Sequence, residues 1–456
     1  MEDIYDGLEG SAREEAYERF VRANLKRNYL GHFLHGVLGM TGFRLVNAPT
    51  FVPAYLHMLS GSDAIVGLGL SLQQLGGTIS PIIGAVHIEH RSHVLRLSMA
   101  LGTMMRIPIL GLALAGWFLG GRSLLITVAI LLFLLGLFSG PQGVAFQFLL
   151  AKMIPIRLRG RLQGWRNVTG GLVAAGLSYL AGKYLIGDNV LGNGYGTTFL
   201  TAFVLTSLGL TAFSLIVREP VLPSLKEKSR VHDRLRQFPA MLRDNPAFRH
   251  FMIARSFAGG NRVAAPFYII YASQHVALSG STVGALSFAY LIADTIANLV
   301  WGYLSDHSGF RSTFLAALVL WIGSTALLMS VDSMSLILLA FFGLGAANSG
   351  YLMSAQNIVF ELGHRDDMAM RMALSTTAES VIAAFCPLAG GLIATQLGYH
   401  AVFGIAIACE AISLAIIVAL VKEPRRHGDR QTPGIGLQQW QSSRPAAPES
   451  DKTSKQ

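Results

Sequence analysis

Residues 124–151 read LLITVAILLFLLGLFSGPQGVAFQFLLA, with no charged side chain between Arg122 and Lys152. At about 1.5 Å per residue, a helix of that length outreaches a hydrocarbon core of roughly 30 Å. The run is continuous rather than alternating, which excludes a strand of a transmembrane β-barrel. On either side similar runs recur, each bounded by Gly, Pro, Asn or a charge. Twelve stretches qualify as spanning helices: 30–57, 65–87, 95–118, 124–151, 163–186, 197–218, 247–275, 281–305, 312–331, 333–360, 371–396 and 399–422. The expected fold class is an all-α membrane protein with 12 transmembrane helices.

Composition agrees. Of 456 residues, 52% are apolar and only 14% charged, and the mean hydropathy is +0.47. A soluble chain of this size needs more charge to cover its surface. The net charge of +10 would suit a nucleic-acid partner, but its placement does not. Thirty of the 36 Lys and Arg fall in the termini and the even-numbered loops, against two, Arg122 and Lys183, in the opposite loops. That count takes Arg166 as a loop residue. By the positive-inside rule both termini are cytoplasmic, and no basic–aromatic interleaving points to DNA or RNA.

Residues 1–27 are charged and hold no cleavable signal. Ser11 with Glu14 reads as a capping box that opens a short cytosolic N-terminal helix. Residues 425–456, rich in Arg, Gln, Ser and Pro, read as a disordered cytosolic tail. Cys386 and Cys409 both lie inside apolar runs, so no disulfide framework or CxxC site is present. The opposite loops are short and carry no Asn-x-Ser/Thr site, which makes a bacterial inner (cell) membrane the default location.

The chain also repeats itself. Leu59-Ser60-Gly61-Ser62 precedes the second span, and Leu278-Ser279-Gly280-Ser281 the eighth. Arg44 with Pro49 in span 1 matches Arg262 with Pro266 in span 7. Ser139-Gly140 matches Ser349-Gly350, Arg161 matches Arg371, and Leu180-Ala181-Gly182 matches Leu388-Ala389-Gly390. Span 6 ends Val217-Arg218-Glu219-Pro220, and span 12 ends Val421-Lys422-Glu423-Pro424. The shared order implies two pseudo-symmetric six-helix bundles, 28–218 and 247–424, joined by a cytosolic linker, 219–246. Two such halves with a site between them form a transporter plan, since rocking one against the other alternates access.

At this point the chain resembles the major facilitator superfamily over about residues 28–424. The sharpest motif is the loop after span 8, Gly302-Tyr303-Leu304-Ser305-Asp306-His307-Ser308-Gly309-Phe310-Arg311. It is similar to the family's G-x-x-x-D-[RK]-x-G-[RK]-[RK] signature at Gly302, Asp306, Gly309 and, one place offset, Arg311. The matching loop after span 2 keeps Gly84 and Arg91 but lacks the Asp. The antiporter motif of span 5 is absent there, although Cys386-Pro387-Leu388-Ala389-Gly390-Gly391 in span 11 looks similar to it. Span 4 lacks the Arg of the drug–proton antiporter branch. The resemblance implies a secondary transporter moving a small solute by alternating access, coupled to a proton or counter-ion. It also implies a latch in which Asp306 meets the start of span 5 near Gly160 and Arg161.

Arg44 and Arg262 are the first candidates for substrate binding. An Arg at mid-membrane costs about 2.5–3.5 kcal/mol even on the lenient insertion scale, so two of them need a reason. The family's cavity lies between spans 1 and 7, and its organophosphate antiporters carry one Arg on each. An organic anion held by both guanidiniums is therefore the favoured substrate class. The other reading is that each Arg is paired by an intramembrane acid. Asp294 in span 8 and Glu379 in span 11 are those acids, and either can instead carry the coupling proton. Asn47, Gln142, Gln147, Asn348, Gln356 and Asn357 are candidate substrate contacts that can equally serve as interhelical glue. Arg106 and Glu410, on peripheral spans, are expected to pair between helices.

His87, His90 and His93 beside Glu89 read as a polar loop rather than a metal site, because their spacing drifts around a helix. No Walker loop, nucleophile–base arrangement or paired catalytic carboxylates occur, so the chain is not read as an enzyme and needs no cofactor. The expected partners are a small-molecule substrate, the lipid bilayer and protons, with no obligatory protein partner. Two alternatives remain. One is an exporter of lipophilic or cationic compounds, expected if Asp294 and Glu379 neutralise both arginines. The other is a non-transporting sensor or assembly factor, expected if side chains fill the cavity.

Overall fold

A computed structural model describes residues 10–88, 91, 93–222, 238–362 and 368–421, and among these there is no β-strand. The expected tail, residues 223–237 of the linker, Glu89 and His90 lie outside the described residues. A polar helix, Gly10–Ala23, comes first, starting within two residues of the place the Ser11–Glu14 box sets. Among the described residues, twelve helical rods follow. Span 1 runs Leu25–Asn47 and resumes as Phe51–Ser60. Spans 2 to 6 are Asp63–Ile88, Leu95–Phe118, Gly121–Met153, Ile156–Leu180 and Gly194–Ile216. Span 5 begins seven residues before the apolar run does and carries its basic segment inside the helix.

After a short helix Phe238–Asp244, span 7 opens as Pro246–Ala258. It tightens into 3₁₀ turns over Gly259–Val263 and Ala265–Phe267 and ends as Tyr268–Ala272. Spans 8 to 12 are Gly280–Ser308, Phe310–Met329, Met334–Glu361, Met368–Leu397 and Tyr399–Leu420. Spans 3, 4, 6 and 8–12 are long and apolar enough to cross a membrane. The remaining four, spans 1, 2, 5 and 7, all line the junction of the halves and carry much of its polar load.

Spans 1 and 7 break at the same place in the repeat. Ala48, before Pro49, takes the extended ψ of 141° that a following proline favours. Pro266 sits in the second 3₁₀ turn of span 7. In span 1 the break follows just after Arg44, whereas in span 7 Arg262 sits inside the first 3₁₀ turn; non-helical backbone at that depth is tolerated where it lines a cavity.

Within the first half, span 4 packs on spans 2 and 3, and span 1 on spans 5 and 6; in the second, span 10 packs on spans 8 and 9, and span 7 on span 12. Glu219 closes the first half. Its carboxylate accepts the N–H groups of Val94 and Leu95, at 2.7 and 2.9 Å, where span 3 begins. It also accepts Lys152 Nζ at 2.7 Å. A helix N-terminus and a buried ammonium thus share one anion.

The halves meet along spans 2 and 11 and along spans 5 and 8. Let the face where span 1 begins be the terminal face, and its opposite the far face. Toward the far face the contact is backbone on backbone: Gly182 lies against Gly280 and Gly284, and Gly391 against Asp63. Tyr399 donates to Asp63 Oδ2 at 2.7 Å, and Ser287 to Thr50 Oγ1 at 2.7 Å. At mid-membrane Gly171 lies against Thr295. Two turns nearer the terminal face, on the same sides of spans 5 and 8, Gly164 and Gly302 have nothing within 4 Å of a built Cβ. The halves therefore touch from mid-membrane to the far face and part toward the terminal face.

Candidate functional site

A cavity of about 300 Å³ lies where the breaks in spans 1 and 7 face each other. Its polar wall is Arg44, Asn47, Gln74, Arg262, Tyr290, Asp294 and Asn348, and its apolar wall includes Pro49, Pro53, Leu70, Pro266, Leu291 and Pro387. It is not filled by side chains, as a non-transporting protein of this fold would require. A second cavity of about 190 Å³ shares Arg262, Tyr290 and Asn348 and runs into the second half, lined by Tyr268, Trp321 and Tyr351. Large, mostly apolar walls with a few fixed polar groups are the usual make-up of a small-molecule site.

Both repeated arginines reach this cavity, and both are paired. Arg44 Nη2 stands 3.5 Å from Asp294 Oδ2, and its Nη1 donates to Thr295 Oγ1 at 3.0 Å. Asn348 Nδ2 donates to the other oxygen of Asp294 at 3.2 Å. Arg262 Nη2 donates to Glu379 Oε1 at 2.8 Å, while Arg255 Nη2 takes the second oxygen of Glu379. Arg255 also donates to Ser375 Oγ and to the Ala355 carbonyl. Removing one partner of such a pair leaves an uncompensated buried charge, at a cost of about 3–5 kcal/mol.

The two pairs differ in reach. Gly171 stands nine residues before Leu180, as Glu379 stands nine before Leu388, so the repeat puts a glycine in span 5 where span 11 has an acid. Arg262 accordingly finds its acid inside its own half. Arg44 finds none there, and in the space over Gly171 it crosses to Thr295 and Asp294 of the other half.

The remaining predicted residues scatter. Asn47 lines the cavity, donates to Phe43 O at 3.0 Å and accepts from Gln73 at 2.8 Å. Asn357 donates to its own helix at Met353 O, 2.7 Å. Gln147 and Gln356 are exposed and off the cavity wall, whereas Gln142 is buried within the first half. In the latch motif, Gly309 has φ +83° and turns the chain between spans 8 and 9. Arg311 donates to Val421 O at 2.6 Å and to Ile417 O at 3.2 Å, capping span 12. Asp306 and Arg161 are exposed, and nothing lies within 4 Å of a Cβ built at Gly160.

Glu410 pairs between helices: Asn261 Nδ2 donates to it at 2.6 Å and to Tyr268 Oη at 2.9 Å. Arg106 does not; its Nη1 donates to Gly102 O of its own helix at 2.6 Å. Sequence reasoning missed Arg255, Thr295, Gln74 and Tyr290. The signal for Arg255 was its place two turns before Arg262, on the same helix face; that for Tyr290 was its place one turn before Asp294.

A family model described as Major Facilitator Superfamily matches residues 251–449. Multidrug resistance protein MdtG of Salmonella paratyphi C (strain RKS4594) is 27% identical over 401 residues, covering 84% of this chain and 91% of that protein. The chain is thus similar to the major facilitator superfamily across most of its second half by that model, and to MdtG over most of its length. MdtG of Salmonella typhimurium (strain LT2) matches to the same extent. Among solved structures, a D-xylose-proton symporter superposes with a TM-score of 0.68 at 12% identity, over 88% of this chain and 99% of that one. The nucleoside transporter NupG superposes with a TM-score of 0.63 at 13% identity, over 86% and 98%. At such identities the structures speak for the fold alone. These matches support an integral membrane transporter of the major facilitator kind, not an enzyme.

Proposed function

We propose that this transporter exports lipophilic organic compounds of low net charge in exchange for protons, with its terminal face in the cytoplasm of a bacterial cell. The observation that carries this reading is the pairing of Arg44 by Asp294 and of Arg262 by Glu379. With both repeated arginines engaged, what the cavity offers a ligand is proline, leucine and tyrosine surface with a few amides. The MdtG proteins, named for multidrug resistance, are similar over most of both chains.

In this mechanism Asp294 is the coupling acid and Glu379 a structural one. Glu379 holds two arginines of its own half, so its pairing need not change as the halves rock. Asp294 bridges the halves, and its ion pair with Arg44 forms only when its carboxyl has given up its proton. Opening toward the far face separates Arg44 from Asp294 and frees the carboxylate to take a proton from outside. On return, Arg44 displaces that proton to the terminal side.

One observation favours a second reading. Glu379 is shared by Arg255 and Arg262, and Arg262 is one-third exposed, so that end of the cavity keeps a formal positive charge. An organic carboxylate or phosphate would meet it there. The test is a thermal-shift panel on the purified protein, with lipophilic neutral compounds beside carboxylated and phosphorylated metabolites, and efflux of the hits from cells expressing wild type or Asp294→Asn. Stabilisation by the lipophilic set, with efflux lost in Asp294→Asn, is expected. Stabilisation confined to anions and abolished by Arg262→Gln would replace the first reading by the second.

A further inference from the structure

The first half buries a second set of cations that the transport cavity does not use. Arg166, counted above among the loop residues, lies ten residues into span 5 and is 8% exposed. Its guanidinium sits 4.8 Å over the Phe146 ring of span 4 and packs onto Gly36 of span 1. His35 stacks on the same ring at 4.5 Å, and His32 meets it edge-on at 5.2 Å. Both histidines also touch Phe213 of span 6. Arg106 of span 3, 3% exposed, lies within electrostatic reach of His35, as Arg166 does. None of these residues lines the cavity at Arg44.

The cluster has donors and no acid. Arg106 Nε and Nη2, Arg166 Nε and all four ring nitrogens of His32 and His35 are buried without a hydrogen-bond partner. Among the described residues no carboxylate pairs with any of the four. Guanidinium N–H groups can only donate, so what they lack is an acceptor, and two buried positive charges call for a negative one. The aromatic walls and near-complete burial exclude a large ligand. A monovalent anion also costs less to dehydrate than a phosphate, because the cost rises with the square of the charge.

We propose that Arg106, Arg166, His32 and His35 form a binding site for a small monovalent anion, of the size and charge of chloride, inside the first six-helix half. The anion acts as a structural counter-ion joining spans 1, 3 and 5, separate from the transported substrate.

The experiment is thermal unfolding of the full-length protein in detergent, titrating chloride against gluconate at constant ionic strength, with a phosphate arm. Equilibrium binding of radiolabelled chloride runs beside it. Expected are a saturable rise of about 3 °C or more in chloride alone and near one bound chloride per chain. Both should be lost in Arg166→Gln and kept in Arg262→Gln. If Arg166→Gln fails to fold, Arg106→Gln and the wild-type binding stoichiometry decide. Absence of chloride binding by wild type, binding lost with Arg262→Gln instead, or stabilisation by phosphate and not chloride would each overturn the proposal.

Discussion

Arg44 of span 1 and Asp294 of span 8 stand 3.5 Å apart across the boundary between the two halves, whereas Arg262 and its acid, Glu379, share one half. The sequence repeats the arginines and not the acids, and that asymmetry gives one ion pair a place in the conformational cycle and the other a place in the scaffold.

The bridging pair is open to a double-mutant cycle. Arg44→Met and Asp294→Leu should each destabilise the protein, because each strands a buried charge. The double variant should lose less than the sum, with a coupling of about 1–3 kcal/mol. Thermal unfolding of the four proteins in one detergent measures it, and additive losses would mean the pair contributes nothing.

Glu379 serves two cations, so its loss and the loss of one arginine are unequal. Glu379→Gln leaves Arg255 and Arg262 facing each other without an anion, and a loss of about 3–5 kcal/mol is expected. Arg262→Gln leaves the Arg255–Glu379 pair intact and should cost much less. Comparing expression and unfolding midpoints checks the order.

The far face closes because Gly182 and Gly284 let two backbones touch. A side chain at Gly284 has no room there, and Gly284→Val should hold the far face ajar. With Cys386 and Cys409 replaced by serine, a single cysteine at Thr50, buried in this structure, should then react faster with an impermeant maleimide added from the far side. An unchanged rate would count against glycine packing as the seal.

Tyr399 and Asp63 tie the same face by one hydrogen bond at 2.7 Å. Removing it in Tyr399→Phe is expected to shift the balance toward far-side opening by about 0.5–1.5 kcal/mol. Spin labels near Ser60 and Ser279 would show this as a larger population at long distance.

Much of this molecule is legible in one dimension. Twelve apolar runs, the ordered matches between halves and the motif from Gly302 to Arg311 determined the membrane class and the two-bundle fold and carry the resemblance to the family. They do so because the bilayer imposes a length on every helix and duplication leaves its order in the chain. Which acid takes which arginine was not legible. Arg166 falls at the edge of the apolar run 163–186 and reads with the basic loop, whereas the helix begins at Ile156 and carries it into the interior of the bundle. Arg44 and Asp294 are 250 positions apart in the chain, and only the packing of span 5 against span 8, with Gly171 leaving the space, brings them together. Depth and charge followed from sequence. Which charge met which, and which were left without an acid, depended on the angles at which twelve helices pack, a property of all of them at once.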